Sequence, residues 1–118
     1  MAKNYENLNI WKKSIDFASF IYRITKNFPR EEFYGLVSQI RRAVVSISSN
    51  IAEGAGRGSK KEFSRFISIA SGSLNEVEGQ LHIASNLDYI KKEDFEKVLE
   101  LIKDRGSMLG GFQKFLKK

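Results

Sequence analysis

Cysteine is absent from the 118-residue chain, which removes disulfides, thiolate metal sites and cysteine nucleophiles and leaves no argument for an oxidising compartment. Proline occurs once, and a chain so poor in it favours a few long helices over many short strands joined by turns. The single histidine is too few for the paired Glu-x-x-His motifs of a di-iron bundle. Long apolar runs are also missing: the longest uncharged stretches, residues 43–52 and 66–75, each amount to about half a membrane span. Residues 1–10 carry polar and acidic groups where a secretory signal needs an apolar centre. The expected location is the cytoplasm, with no membrane partner.

What the chain does hold is a globular mixture, 42% hydrophobic and 29% charged, of a size for one domain, residues 1–118. Four segments repeat apolar residues at the helical period and none alternates at period two. Ile10, Phe17, Ile21, Ile24 and Phe28, flanked by Trp11, Ile15 and Ala18, predict a first helix over residues 8–27. It stops before Pro29, which disfavours helix in the preceding residue. Phe33, Leu36, Val37, Ile40, Val44, Ile47 and Ile51 predict a second helix, broken by the glycines of residues 54–58. Ser59 and Glu62 match a capping box that opens a third helix. It carries Phe63, Phe66, Ile67, Ala70, Leu74, Val77, Leu81 and Ala84 and runs to about Asn86, roughly 42 Å at 1.5 Å per residue. In a fourth helix Phe95, Val98, Ile102, Arg105, Leu109, Phe112 and Leu116 alternate steps of three and four, the spacing of a bundle seam.

Connections of about five residues make successive helices antiparallel neighbours, so the expected fold is all-α, an antiparallel up-down-up-down four-helix bundle. Pairing the last two helices about Tyr89 sets Gly72 opposite Gly106 and Ser68 opposite Gly110, small residues that would permit close backbone approach.

This topology turns a diffuse net charge of +6 into a located one. The start of the first helix, the second turn and the end of the fourth helix share one end of the bundle. That end gathers Lys3, Lys12, Lys13, Arg57, Lys60, Lys61, Arg65, Lys114, Lys117 and Lys118 against Glu6, Asp16, Glu53 and Glu62. The excess of six equals the whole net charge, because Arg23, Lys26, Arg30, Lys91 and Lys92 at the other end meet Glu31, Glu32, Asp88, Glu93 and Asp94. A compact basic end suits phosphate contacts, since each neutralised phosphate releases counterions. Lysines at the end of the fourth helix also complement its dipole, whereas Lys60 and Lys61 oppose that of the third. The expected ligand is RNA or DNA bound without base readout, as no zinc-finger, basic-zipper or recognition-helix pattern occurs.

A polar stripe runs beside the apolar ones. Gln39, Arg42, Ser46, Asn50 and Glu53 recur every three or four residues in the second helix, and Ser73, Glu76 and Gln80 do so in the third. Polar groups in such places usually make interhelical or intersubunit hydrogen bonds and often fix register or oligomer state, which is the reading expected here over contact with RNA. Catalysis finds no support. His82, expected to be partly buried, follows Glu78 at the wrong spacing for a metal motif. Its nearest upstream arginine, Arg65, is too distant for the Arg-to-His spacing of helical ribonucleases. Residues 54–58 lack both the preceding strand and the Gly-Lys-Ser/Thr ending of a phosphate loop. Glu76 and Glu78, two apart on a helix, point to different faces. No metal, cofactor or catalytic residue is expected.

Phe28-Pro29, Tyr34-Gly35-Leu36, Gln39-Ile40-Arg41-Arg42-Ala43, Ser49-Asn50-Ile51-Ala52-Glu53-Gly54 and Gly56-Arg57 together form an ordered set of motifs. Glu62-Phe63, Ala70, Gly72-Ser73, Glu76, Glu78 and Gln80-Leu81 continue it. Over nearly the entire chain these residues resemble the four-helix-bundle proteins encoded within intervening sequences of bacterial 23S ribosomal RNA genes. Ser48 stands where that family often has proline, and Asp88 where a glycine usually follows the third helix. The resemblance implies a homopentamer of antiparallel bundles. Through similarity to the accessory variability determinants of diversity-generating retroelements, it also implies a basic assembly that binds nucleic acid or a reverse transcriptase. The competing expectation is a protein-interaction scaffold whose basic end meets an acidic partner, such as a polymerase or reverse transcriptase, without touching nucleic acid.

Overall fold

The computed structural model describes residues 4–118. Four antiparallel helices, α1 (Asn9–Thr25), α2 (Leu36–Ala55), α3 (Lys60–Asn86) and α4 (Lys92–Leu116), are accompanied by 3-10 turns at Asn4–Asn7 and Arg30–Glu32. The 27 residues of α3 span about 40 Å at the helical rise, nearly the whole 43 Å length of the molecule.

The stripes converge on one core. Phe17 and Ile21 of α1, Ile40, Val44, Ile47 and Ile51 of α2, Ile67, Val77 and Leu81 of α3 and Val98 of α4 are all essentially inaccessible to solvent. Two expected members of the core stand apart from it. Ile15 is exposed, and its place in the stripe is taken by Ser14, which is buried because its hydroxyl donates to the Trp11 carbonyl at 2.7 Å. Phe33 is exposed as well, since α2 starts three residues later than the apolar spacing suggests.

That late start has a local cause. The Glu32 carboxylate accepts the Leu36 amide at 3.1 Å and so caps α2 with a side chain placed before it. Its other oxygen accepts the Tyr89 hydroxyl at 2.9 Å, tying this cap to the turn between α3 and α4. The hydrogen bond to Glu32, with lesser help from desolvation and the nearby carboxylates, raises the Tyr89 phenol above its ordinary pKa of 10.0. Arg41 holds the same end from α2: its guanidinium donates to Thr25 Oγ1 at 3.0 Å and to the Tyr22 carbonyl at 3.2 Å, and lies 4.5 Å over the Tyr22 ring.

Helix α3 begins as its cap requires, with Ser59 Oγ accepting the Glu62 amide at 3.1 Å. Glu62 turns its carboxylate toward Arg65, 3.8 Å away, rather than back to Ser59, so only half of the expected capping box forms. At the other end of α3, Asp88 takes the left-handed position (φ 60°). The Tyr89 amide reaches back to the Ala84 carbonyl at 2.9 Å and the Asp88 amide to Ser85 at 3.0 Å, the Schellman arrangement that glycine fills most easily.

The close approach of helices lies elsewhere than the sequence suggests. Gly72 and Gly110 are exposed, with nothing within 4 Å of where a Cβ would stand, and a Cβ on Gly106 would meet only Leu74 at 3.7 Å. Pairing about Tyr89 nonetheless describes the register, since Gln113 Nε2 reaches the Ser64 carbonyl at 2.9 Å and Ser68 Oγ at 2.6 Å. The glycines of these two helices simply lie on their outer faces. The tight contact is between α2 and α3 at Gly54, where a Cβ would fall 2.8 Å from both Phe63 Cδ1 and Phe66 Cβ.

Two alanine substitutions therefore have opposite signs. Gly54→Ala overpacks the α2–α3 contact, typically a loss of about 1–3 kcal/mol that outweighs the roughly 1 kcal/mol gained in helix propensity. Gly72→Ala meets open space and gains up to about 1 kcal/mol from propensity alone. Urea unfolding midpoints of the two variants should move in opposite directions from the wild type.

Candidate nucleic-acid interface

The α2–α3 turn is short because Gly56 ends α2, its amide reaching the Ala52 carbonyl at 3.2 Å, and Gly58 takes a positive φ of 82° before the Ser59 cap. Antiparallel packing then brings the start of α1, this turn and the end of α4 to one end. Arg105, buried in the seam, donates from Nε to the Lys13 carbonyl at 3.2 Å and pairs with Asp104 at 3.0 Å, joining α4 to the first turns of α1.

The cations at this end fall into two groups. Arg57 and Arg65 both lie 4.9 Å over the Phe66 ring. Each has a carboxylate of its own, Glu53 at 2.8 Å for Arg57 and Glu62 at 3.8 Å for Arg65. Their charge is partly compensated and their guanidinium planes are held. Lys12, Lys13, Lys60, Lys61, Lys114, Lys117 and Lys118 are exposed, and none takes part in an ion pair among the described residues. Lys3 lies outside the described residues. Beside the turn, Gly54, Ala55, Gly58, Ser59, Lys60 and Phe63 line a shallow cleft of about 210 Å³. It adjoins the start of α3, where the amides of Lys60 and Lys61 precede the first intrahelical bond, from Phe63 to the Ser59 carbonyl.

Sequence reasoning did not foresee the aromatic content of this end. Phe63 and Phe112 meet edge to face at 5.1 Å, Phe112 and Phe115 are tilted at 5.9 Å, and Lys60 Nζ lies 6.0 Å from the Phe115 ring. Phe115 is 58% exposed. The signal was in the periodicity: Phe112 and Leu116 continue the α4 stripe, and Phe115 falls outside it.

The polar stripes are only partly joined. Ser46 and Ser73 share a hydrogen bond at 2.9 Å across α2 and α3, and Asn50 Nδ2 donates to the Ser46 carbonyl at 2.8 Å and to its hydroxyl at 2.9 Å. Glu53 belongs instead to the basic end through Arg57. Gln39, Arg42, Glu76 and Gln80 line an open α2–α3 groove of about 460 Å³, beneath which Gln80 Oε1 is buried without a partner.

His82 is exposed rather than partly buried. Its ring stands edge-on to Phe95 at 5.1 Å, and Nε2 is 4.0 Å from Glu78. Phe95 of α4 covers one edge of the ring and leaves the rest to solvent. Among the described residues no three His, Cys, Asp or Glu side chains group to hold a metal ion, and no helix is long and apolar enough to cross a membrane.

The fold is an all-α bundle of four antiparallel helices. The chain belongs to the family of 23S rRNA-intervening sequence proteins, whose model matches residues 6–111. A solved protein from Bacteroides thetaiotaomicron VPI-5482, described as of unknown function and from the S23 ribosomal protein family, is similar in sequence and structure. The two are 27% identical, with a TM-score of 0.82 over 89% of this chain and 95% of the other. Among curated proteins none matches.

The serine contact is open to a direct test. Ser46→Ala and Ser73→Ala each remove one partner of a partly buried hydroxyl pair, a loss typically near 1 kcal/mol. The double variant should cost less than their sum, with a coupling of about 0.5–1.5 kcal/mol in a double-mutant cycle of urea unfolding. A coupling of zero would show that the two hydroxyls do not meet.

Proposed function

We propose that this chain is a non-catalytic, self-associating accessory protein that acts in the cytoplasm and holds nucleic acid by its phosphates at the basic end of the bundle. The observation that carries the reading is the set of seven lysines, Lys12, Lys13, Lys60, Lys61, Lys114, Lys117 and Lys118, exposed at one end and free of ion pairs among the described residues. Lysine is a compact, hydrated point charge on a flexible stem. A cluster of them suits a phosphate backbone read by charge, and the seven together outnumber the net charge of +6. Binding of this kind is non-specific and falls steeply with salt. In a ring of five copies, the number that the family resemblance implies, weak sites presented side by side would add through avidity.

Self-association has its own support. On the α1–α2 side, Tyr22, Phe33 and Val45 are each about two-fifths exposed and Tyr34 wholly so. With Arg41 and Arg42 they line an open, largely apolar groove of about 710 Å³. Exposed aromatic and arginine side chains gathered on one face are typical of protein interfaces. The second reading, a scaffold for an acidic protein partner, uses the basic end instead, where the same exposed lysines would meet carboxylates.

Two measurements test these readings. Affinity for a structured RNA and for duplex DNA, followed across a salt series, should give a log–log slope of about −3 or steeper, as for three or more neutralised phosphates. Reversing Lys60, Lys61 and Lys117 to glutamate should abolish binding with helicity unchanged. No binding by the wild type even near 50 mM salt would leave the scaffold as the better account. For self-association, Val45→Glu should lower the mass seen by light scattering, and an unchanged mass would remove this face from the assembly.

A further inference from the structure

The phosphate-binding reading leaves open whether the ligand is a duplex or a single strand, and the basic end carries a feature that separates the two. Three phenylalanines lead outward from the core: Phe63, packed edge-on against Phe112, which in turn backs Phe115 at 5.9 Å with the rings inclined by 34°. The outermost ring is 58% exposed. Its surroundings are cationic, with Lys60 Nζ 6.0 Å from its centroid and Lys114, Lys117 and Lys118 in the same last turn of chain. Leaving an aromatic ring in water forgoes about 1.5–3 kcal/mol of burial, and α4 does not need it to close the core, because Phe112 and Leu116 occupy the seam positions.

The other rings near cations differ from it. Phe66 is 8% exposed, and its face is covered by Arg57 and Arg65. The Tyr22 ring, on the α1–α2 side, is capped by Arg41, which is tethered there by hydrogen bonds to Thr25 and the Tyr22 carbonyl. Among the described residues, Phe115 combines a ring 58% exposed, Phe112 packed beside it and a surround of lysines without ion pairs.

We infer that Phe115 is a base-stacking platform and that the basic end takes single-stranded nucleic acid in preference to duplex. This inference rests on the phosphate-binding reading and adds strandedness to it. Every base has an apolar π-face, so stacking on an exposed ring is tolerant of sequence, in keeping with an end that carries no pattern for base readout. A duplex hides those faces within its own stack and yields one only at the expense of unpairing. The lysines grip the backbone on either side, and the ring holds the base between them.

The test is fluorescence anisotropy with the full chain at low salt, using labelled oligouridine of about 20 nucleotides, enough to cover the site, and a mixed-sequence duplex of equal length. Phe115→Ala should weaken oligouridine binding by about tenfold and leave duplex binding and helicity as they were. Phe115→Trp should restore the single-strand affinity. Because stacking carries no charge, the salt dependence of Phe115→Ala should run parallel to that of the wild type, whereas Lys60→Glu should flatten it. If the wild type binds both probes and Phe115→Ala weakens neither, or both equally, the platform is overturned while phosphate binding stands. If Phe115→Ala instead weakens binding to polyglutamate, the ring serves a protein partner and the inference falls. If the wild type binds neither oligouridine nor duplex, the phosphate reading fails and this inference goes with it.

Discussion

The contact between α2 and α3 is the constraint from which the rest of the molecule follows. At Gly54 the two helices come so close that a single added carbon would stand 2.8 Å from the Phe66 Cβ. Seven residues along α3 from Phe66, the Ser46–Ser73 hydrogen bond at 2.9 Å sets the same pair in register. A bend of four residues joins them, too short for anything but antiparallel packing. The longest helix is thereby fixed against α2, and α1 and α4 complete the bundle by covering what that pair leaves open. A hydrogen-bonded pair in such a seam adds little net stability and much specificity, since a sliding register would bury both hydroxyls against carbon.

This packing also decides the electrostatics. The lysines of α1, of the second turn and of α4 are far apart in the chain and share one end only because the helices alternate in direction. Two of the carboxylates at that end lie against arginines, Glu53 against Arg57 and Glu62 against Arg65, both of which are stacked on Phe66. The lysines are left as the exposed, uncompensated charge. At the opposite end one carboxylate has a structural duty: Glu32 caps α2 and accepts the Tyr89 hydroxyl.

Much of the fold was legible in the residues because burial acts on a helix through one repeat. The stripes named Ile40, Val44, Ile47 and Ile51 in α2 and Ile67, Leu74, Val77 and Leu81 in α3, all of which are buried. Where the reading missed, a specific side-chain contact had intervened. Phe33 continues the α2 stripe, yet Glu32 caps the helix after it and the ring stays outside. Gly72 and Gly110 look like a close approach on spacing alone, but the rotation of α3 and α4 about their axes turns both to solvent, with Gln113 bound to Ser64 and Ser68 across the same pair. The polar stripe was visible as a pattern; its division into a serine seam, an open groove and an arginine pair was not.

The sequence by itself determined the number of helices, their inward faces, the serine cap of α3 and the excess of lysine, because each depends on residues within a few positions of one another. Only the tertiary structure decided which glycine lies against a neighbouring helix, which carboxylates neutralise which cations, and that Phe115 is left open among lysines. Those outcomes depend on the rotation and separation of whole helices, which are settled by the summed packing of side chains from all four and by no local pattern.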